Sequence, residues 1–302
     1  MAQAKLKVVL LRATPDPDDL VALGARLCYA QADIDALKEK VESADQRAFV
    51  ERVMQRGHLS VTEHAAFTFA VEGVSRALLA QLTRHRIASF SVQSQRYVSM
   101  AKGFDYVIPP AIEALGESEK QEFIRQMDTI HEWYCHWQEK LGGAKESANE
   151  DARFVLPNAA STRLLVTMNA RELMHFFSLR CCNRAQWEIR EMAWQMLALC
   201  KQAAPALFEH AGPACVSGAC PEGKNTCGKM AEVREKAKSL QNPANRRKAG
   251  CIPIKSRGFF PALLMKARGI IRITQILFEP VAEEGNHNGL LRSVYQETAQ
   301  SA

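Results

Sequence analysis

The stretch AAFTFAVEGVSRALLAQLTRHR, from Ala65 to Arg86, changes its period half-way along. Ala65 to Val74 alternates, with Phe67, Phe69 and Val71 on one face and Thr68, Ala70 and Glu72 on the other, as a half-buried strand does. From about Ser75 to Arg84 the pattern becomes helical, and the helix delivers Arg84-His85-Arg86 at its C-terminal end. The helix dipole favours cations there, which is enough to account for the triplet without any function.

Working upstream, Lys5 to Leu11 is an apolar run of strand length, and Asp18 to Ala30 carries Leu20, Leu23, Leu27 and Cys28 at helical spacing. Asp45 is placed to cap a helix running through Phe49, Val50 and Val53 and stopping at Gly57. Downstream, Ser118 to Leu141 predicts a long helix whose stripe of Phe123, Met127, Ile130, Trp133, Tyr134 and Trp137 reads as core, ended by Gly142-Gly143. Thr162 to Met168 is strand-like, and Asn169-Ala170-Arg171-Glu172 has the form of an N-cap with its capping box. Helices to about Leu179 and from Gln186 to about Ala203 follow. With no regular strand–helix–strand alternation, the prediction is an α+β domain over residues 1–230, a short-stranded sheet packed with long helices, and a basic extension over 231–302.

Composition narrows the function classes. With 302 residues, 47% apolar and 24% charged, the chain can bury a sizeable core. Its start lacks the long apolar core of a signal peptide, and no run approaches the roughly 20 apolar residues of a membrane helix, so a cytoplasmic protein without membrane contact is expected. Of 39 Lys/Arg and 33 Asp/Glu, nine and four fall in residues 241–302, leaving 30 and 29 in a nearly neutral body. That balance argues against nucleic acid as the partner. The tail itself fits a loosely ordered extension, a docking arm or residues from a non-native reading frame, and is assigned no catalytic role. Nine cysteines in a chain of this size are expected reduced. Cys215, Cys220 and Cys227 are close enough in sequence to consider zinc, but they lack a paired CxxC and no His falls between them; no metal is assigned.

The chemistry concentrates in Arg84 to Tyr97, RHRIASFSVQSQRY, where three guanidinium groups can grip phosphate or a pyrimidine carbonyl edge. No Gly-x-Gly-x-x-Gly follows a strand and no Walker-type loop is present, so phosphates must be met by arginines and by the helix N-terminus at Asn169.

The RHR triplet followed after seven residues by Ser94-Gln95-Arg96-Tyr97 resembles the signature of the flavin-dependent thymidylate synthases. Gly57-His58-Leu59-Ser60-Val61-Thr62-Glu63-His64 upstream is similar to another of that family's stretches, as are Ala152 to Pro157, Asn169-Ala170-Arg171, Leu179-Arg180 and Ala185 to Glu188 downstream. The likeness extends over about residues 5 to 230. It implies that family's fold and a homotetramer with active sites shared between subunits, each holding FAD and using NADPH and methylenetetrahydrofolate to convert dUMP to dTMP. Carried over by position, Ser60, Arg84, His85, Arg86, Asn169, Ala170, Arg171 and His175 would contact the flavin. Gln81, Arg84, Ser94, Gln95, Arg96, Arg153 and Arg180 would surround dUMP, with Arg180 stabilising charge as the uracil N3 ionises and His58 beside the flavin. No side-chain nucleophile is required, and Ser94, with no Ser-His-Asp constellation evident near it, is expected to position substrate. Ser91-Val92 departs from the Asn-Glu found in many members, His175 stands where others have Asn, and Arg184 where some have His. The rival classes are a nucleic-acid binder and a flavoprotein of another activity or an inactive relative whose tail blocks assembly.

Overall fold

The computed structural model describes residues 1–240, and the extension expected over 241–302 lies outside the described residues. The chain runs through β1 (Lys7–Ala13), α1 (Pro17–Leu27), α2 (Ile34–Glu42), α3 (Arg47–Gln55), a 3-10 turn (Leu59–His64), β2 (Ala66–Ser75), α4 (Arg76–Leu82) and β3 (Ser89–Val92). It continues through α5 (Pro110–Glu113), α6 (Glu117–Lys140), α7 (Glu146–Ala152), β4 (Ser161–Asn169), α8 (Ala170–Arg180), α9 (Trp187–Ala203) and α10 (Met230–Ser239). The four strands form one antiparallel sheet in the order β1-β2-β4-β3, which with its long helices makes the expected α+β fold. Among the described residues no helix is long and apolar enough to cross a membrane.

The alternation read in β2 holds: Phe67, Phe69 and Val71 are buried, while Thr68 and Ala70 are half-buried and Glu72 exposed. Opposite them Leu164, Val166 and Met168 of β4 point the same way, and this face packs on α1, α3, α4, α8 and α9 in one large core. A bulge between Glu72 and Val74 turns the end of β2. Gly73 makes it possible, because it sits at φ +73° and a Cβ there would lie 2.0 Å from the Lys5 carbonyl oxygen.

A second, smaller core forms where α6 and α7 cover the chain between Met100 and Ile108. Here the expected stripe needs correction. Tyr134 is fully buried and Met127 nearly so, but Trp133 and Trp137 are 55% and 49% exposed. Each tryptophan precedes an inward residue, Tyr134 or Gln138, so the 100° step between neighbours carries it round to the flank of the helix.

Other boundaries moved for local reasons. The helix carrying Phe49 starts after Gln46, whose buried amide donates to the Val41 and Ala44 carbonyls, while Asp45 receives the Arg47 N–H at 2.9 Å. α4 stops at Leu82, so Arg84-His85-Arg86 occupies the turn beyond it rather than its last residues. Asn169 caps α8 by accepting the Glu172 N–H at 2.9 Å, yet Glu172 turns to His85, so only half of the capping box forms. The elements α2, β3, α5, α7 and α10 are not anticipated above; β3 and α5 have only four residues each. α10 nevertheless buries Val233 and Ala237 in the large core.

Phe177 is fully buried at the centre of that core, edge-on to Phe176 and Phe208 at 5.7 and 6.1 Å between centroids. Phe177→Ala is expected to lower stability by about 3–5 kcal/mol in urea unfolding; a loss under about 1 kcal/mol would mean that the ring is not packed as described.

Candidate active site

Ser75 ends β2 and caps α4, its Oγ accepting the Leu78 N–H at 3.0 Å. Glu188 of α9 grips the same residue twice. Its Oε1 accepts the Ser75 N–H at 2.7 Å and its Oε2 accepts the Ser75 hydroxyl at 2.5 Å. Burial pushes the Glu188 carboxyl above its ordinary range, and the two bonds from Ser75 pull it back. Gln186 in turn caps α9, its Oε1 accepting the Glu188 and Ile189 N–H groups. The helix leading to the arginine triplet is therefore fastened at its root to the first turn of α9.

At its other end α4 leads to His85, whose side chain is buried. Its Nδ1 lies 3.2 Å from Glu172 Oε1, and its Nε2 receives the Arg180 Nε–H at 3.0 Å. Arg180 also donates from Nη2 to the Gln81 carbonyl at 3.4 Å. Burial first, and then neighbouring Arg84, push the Arg180 guanidinium below its usual range. Gln81, Arg84, His85 and Arg180 thus come together at this point of the fold. His175 sits at the edge of this group, exposed, its ring 6.2 Å from that of His85. Arg84 and Arg86 are exposed, whereas His85 turns its ring away from solvent.

A second group gathers where the Ser94–Tyr97 loop meets α7. Arg76, at the start of α4, donates to the Gln93 carbonyl at 2.9 Å and so ties the loop to that helix. Ser94 Oγ accepts the Arg96 N–H at 3.1 Å, a turn-forming bond. Asn149 donates to the Arg96 carbonyl at 2.9 Å and joins the buried network of Tyr134 and Gln138, so the small core holds the loop from below. The Arg96 guanidinium reaches Glu146 at 2.5 Å and lies 3.3 Å from Glu150, while Arg153 donates to the Glu150 carbonyl at 3.1 Å. Gln95 lies half-buried in the same loop. Ser91 and Val92 fall on β3, with Val92 packed against the large core.

The third group lies at the start of α8. Arg171 pairs with Glu63 of the 3-10 turn that also carries Ser60, and His58 precedes that turn, exposed. The Ala170 N–H donates to the Ala65 carbonyl at 2.8 Å, and Asn169 takes the Glu172 N–H. Two of the N–H groups at the start of α8, those of Ala170 and Glu172, are therefore already bonded within the protein.

Several residues with clear positioning roles escaped the sequence reading. Arg76 carries no pattern of its own, Glu188 stands out only as the end of the stretch from Ala185, with no sign of its bond to Ser75, and Asn149 sits in a seven-residue helix. Glu172 was visible only as part of a cap. Among the described residues no group of three or more His, Cys, Asp or Glu is placed to hold a metal ion. A cavity of about 1170 Å³ opens elsewhere, between β1, the start of β4 and α9. None of the residues expected at the site lines it, and two of its cations are engaged, Lys7 with Glu72 at 2.8 Å and Lys236 over the Trp194 ring at 4.6 Å.

The family model described as thymidylate synthase complementing protein matches residues 9–206. A flavin-dependent thymidylate synthase of Geobacter sulfurreducens is 54% identical over 230 residues, 76% of this chain and 97% of the relative. Proteins of the same name from Clostridium tetani and Pyrococcus horikoshii are 46% and 39% identical, covering 76% and 78% of this chain and 96% and 98% of their own lengths.

Glu188→Gln tests the root of α4. A raised carboxyl contributes its stability below its unfolded value, near 4.5, and loses it as pH rises through the folded value. The amide escapes that loss but gives up one of the two acceptors used by Ser75, so any deficit against the parent should shrink as pH rises from 4.5 to 7. A Gln variant that is weaker at pH 7, with the gap widening as pH rises, would contradict the assignment; thermal unfolding across pH decides.

Proposed function

The chain belongs to the flavin-dependent thymidylate synthase family, and from that premise we propose that it methylates dUMP to dTMP in the cytoplasm, with FAD bound and with NADPH and methylenetetrahydrofolate as co-substrates. The observation that carries this reading is Arg180, half-buried beside Arg84, with its Nε held by His85 and one Nη by the Gln81 carbonyl. Two of a guanidinium's five donors are used in that way, and the rest of the fork is left to meet a ligand edge.

Arg180 stabilises negative charge on the uracil ring as N3 ionises, an electrostatic role that needs the donors fixed before the charge develops. Gln81, Arg84, Ser94, Gln95, Arg96 and Arg153 complete the dUMP site, Arg96 and Arg153 suiting the phosphate. Glu146 and Glu150 hold the Arg96 guanidinium until the phosphate competes for it. Ser94 positions substrate, its hydroxyl already oriented by the Arg96 N–H.

The residues present fit a flavin nucleotide. Ser60, Arg84, Arg86, Asn169, Ala170, Arg171 and His175 would hold it, exposed guanidinium groups suiting its pyrophosphate, with His58 alongside. Bound FAD supplies the hydride chemistry, renewed by NADPH, and the protein supplies orientation and charge. A homotetramer with shared sites is part of the proposal. The supporting observation is that Ile87, Tyr97 and Phe154, each next in sequence to an arginine of the site, are 67%, 69% and 80% exposed and would be covered by a neighbouring subunit.

The test is anaerobic turnover of the purified protein with FAD, NADPH, dUMP and methylenetetrahydrofolate, following dTMP and flavin absorbance together. The parent should form dTMP, and Arg180→Ala should lose on the order of 100-fold or more in kcat while retaining flavin. Normal turnover by the variant would remove Arg180 from its role, and a parent that oxidises NADPH without forming dTMP would overturn the reading.

A further inference from the structure

His85 stands apart from the other residues of the arginine signature because its side chain points inward, with only 6% of the residue exposed. Both ring nitrogens are engaged there. An arginine Nε can only donate, so the ring nitrogen 3.0 Å from it, Nε2, must be an unprotonated acceptor. The single ring proton is then on Nδ1, directed at the Glu172 carboxylate 3.2 Å away. Glu172 is fixed in its turn, buried in the first turn of α8 with its N–H held by Asn169. The three side chains form a directional chain from carboxylate through neutral imidazole to guanidinium, and Phe176 packs edge-on to the imidazole at 5.0 Å.

We propose that His85 is a positioning residue for Arg180: the Glu172–His85 pair presents a fixed acceptor that sets the guanidinium plane, and a proton on Nε2 releases it. The proposal rests on the dUMP reading given above and deepens it, because the substrate-facing arginine is then correctly aimed only while His85 is neutral. Protonation would set an imidazolium N–H against the Arg180 Nε–H, two donors and two cations face to face. The charged groups around the ring are Glu172, Arg180 and His175 of α8, with Arg84 beside Arg180. Burial pushes His85 below its ordinary value of 6.5, Glu172 pulls it up, and Arg180 and His175 push it down. The neutral form is therefore kept through neutral pH and lost as pH falls through the lowered value.

The test compares the parent holoenzyme with His85→Ala, His85→Gln and Glu172→Gln, measuring kcat, KM for dUMP, bound flavin and the pH profile of kcat. The alanine variant should lose on the order of 100-fold in kcat while keeping its flavin. Glutamine, whose Oε1 reaches about as far as Nε2 but does not titrate, should recover most of that loss and lack the parent's acid limb. In Glu172→Gln the limb should move to lower pH, since the group that raises His85 is gone. Unchanged kcat in His85→Ala, the parent's acid limb in His85→Gln, or loss of flavin with normal kcat per bound flavin would each overturn the proposal. Nitrogen-15 spectra of histidine-labelled enzyme give a reading independent of turnover. The signal lost in His85→Gln should show an Nδ1–H tautomer persisting below pH 6.5 in the parent; an Nε2–H tautomer at neutral pH would overturn the proposal even if the protein makes no dTMP.

Discussion

The antiparallel register of β2 against β4 is the constraint on which the other parts depend. Ser75, the last residue of β2, lies opposite Ser161, and Ala66 lies opposite Asn169, the last of β4. The helices α4 and α8 are therefore launched from opposite ends of one strand pair, and both turn onto the face occupied by Phe67, Phe69, Val166 and Met168. Running back toward each other, they bring His85 between Glu172 and Arg180. A slip of one residue would turn every inward side chain of a strand outward and carry the two helix roots out of alignment. The buried phenylalanines make that slip costly, so the packing of an apolar face determines where a guanidinium group ends up.

The electrostatics follow from that placement. Arg84, Arg86, Arg96, Arg153, Arg171 and Arg180 are brought to exposed or half-buried positions, and charges of one sign gathered this way repel each other unless they are held. Carboxylates hold some of them: Glu63 takes Arg171, and Glu146 with Glu150 takes Arg96. The Arg180 guanidinium is held by neutral acceptors instead, a ring nitrogen and a backbone carbonyl, which fix its orientation without cancelling its charge. That difference matters for the role proposed for Arg180, which is to meet developing negative charge. An ion pair would have to be broken first, whereas a neutral acceptor remains in place.

How far the sequence discloses this depends on the length of each signal. β2, β4, α6, α8 and α9 carry hydrophobic periods over seven residues or more, and their positions were legible. The arginine signature and the cap at Asn169 were legible as motifs. What joins them was not. Nothing in the spacing of Glu188 announces that it fastens Ser75, 113 positions away, and Glu172 reads as a capping residue until the fold brings His85 to it. Trp133 and Trp137 show the converse, since apolar character alone predicts burial while the helical angle puts them on the flank. Contacts between distant residues are set by packing, which no local window contains.

The proposed reading puts dUMP on Arg84 and Arg180 between α4 and α8 and on Arg96 and Arg153 beside α7, not in the cavity between β1 and α9. A crystal structure with dUMP and FAD bound tests this most directly. The account predicts the uracil carbonyl edge against the Arg180 guanidinium, the His85–Arg180 contact intact, and the phosphate on Arg96 and Arg153. Nucleotide found instead along Lys7, Trp194 and Lys236, with the Arg180 site empty, would contradict it.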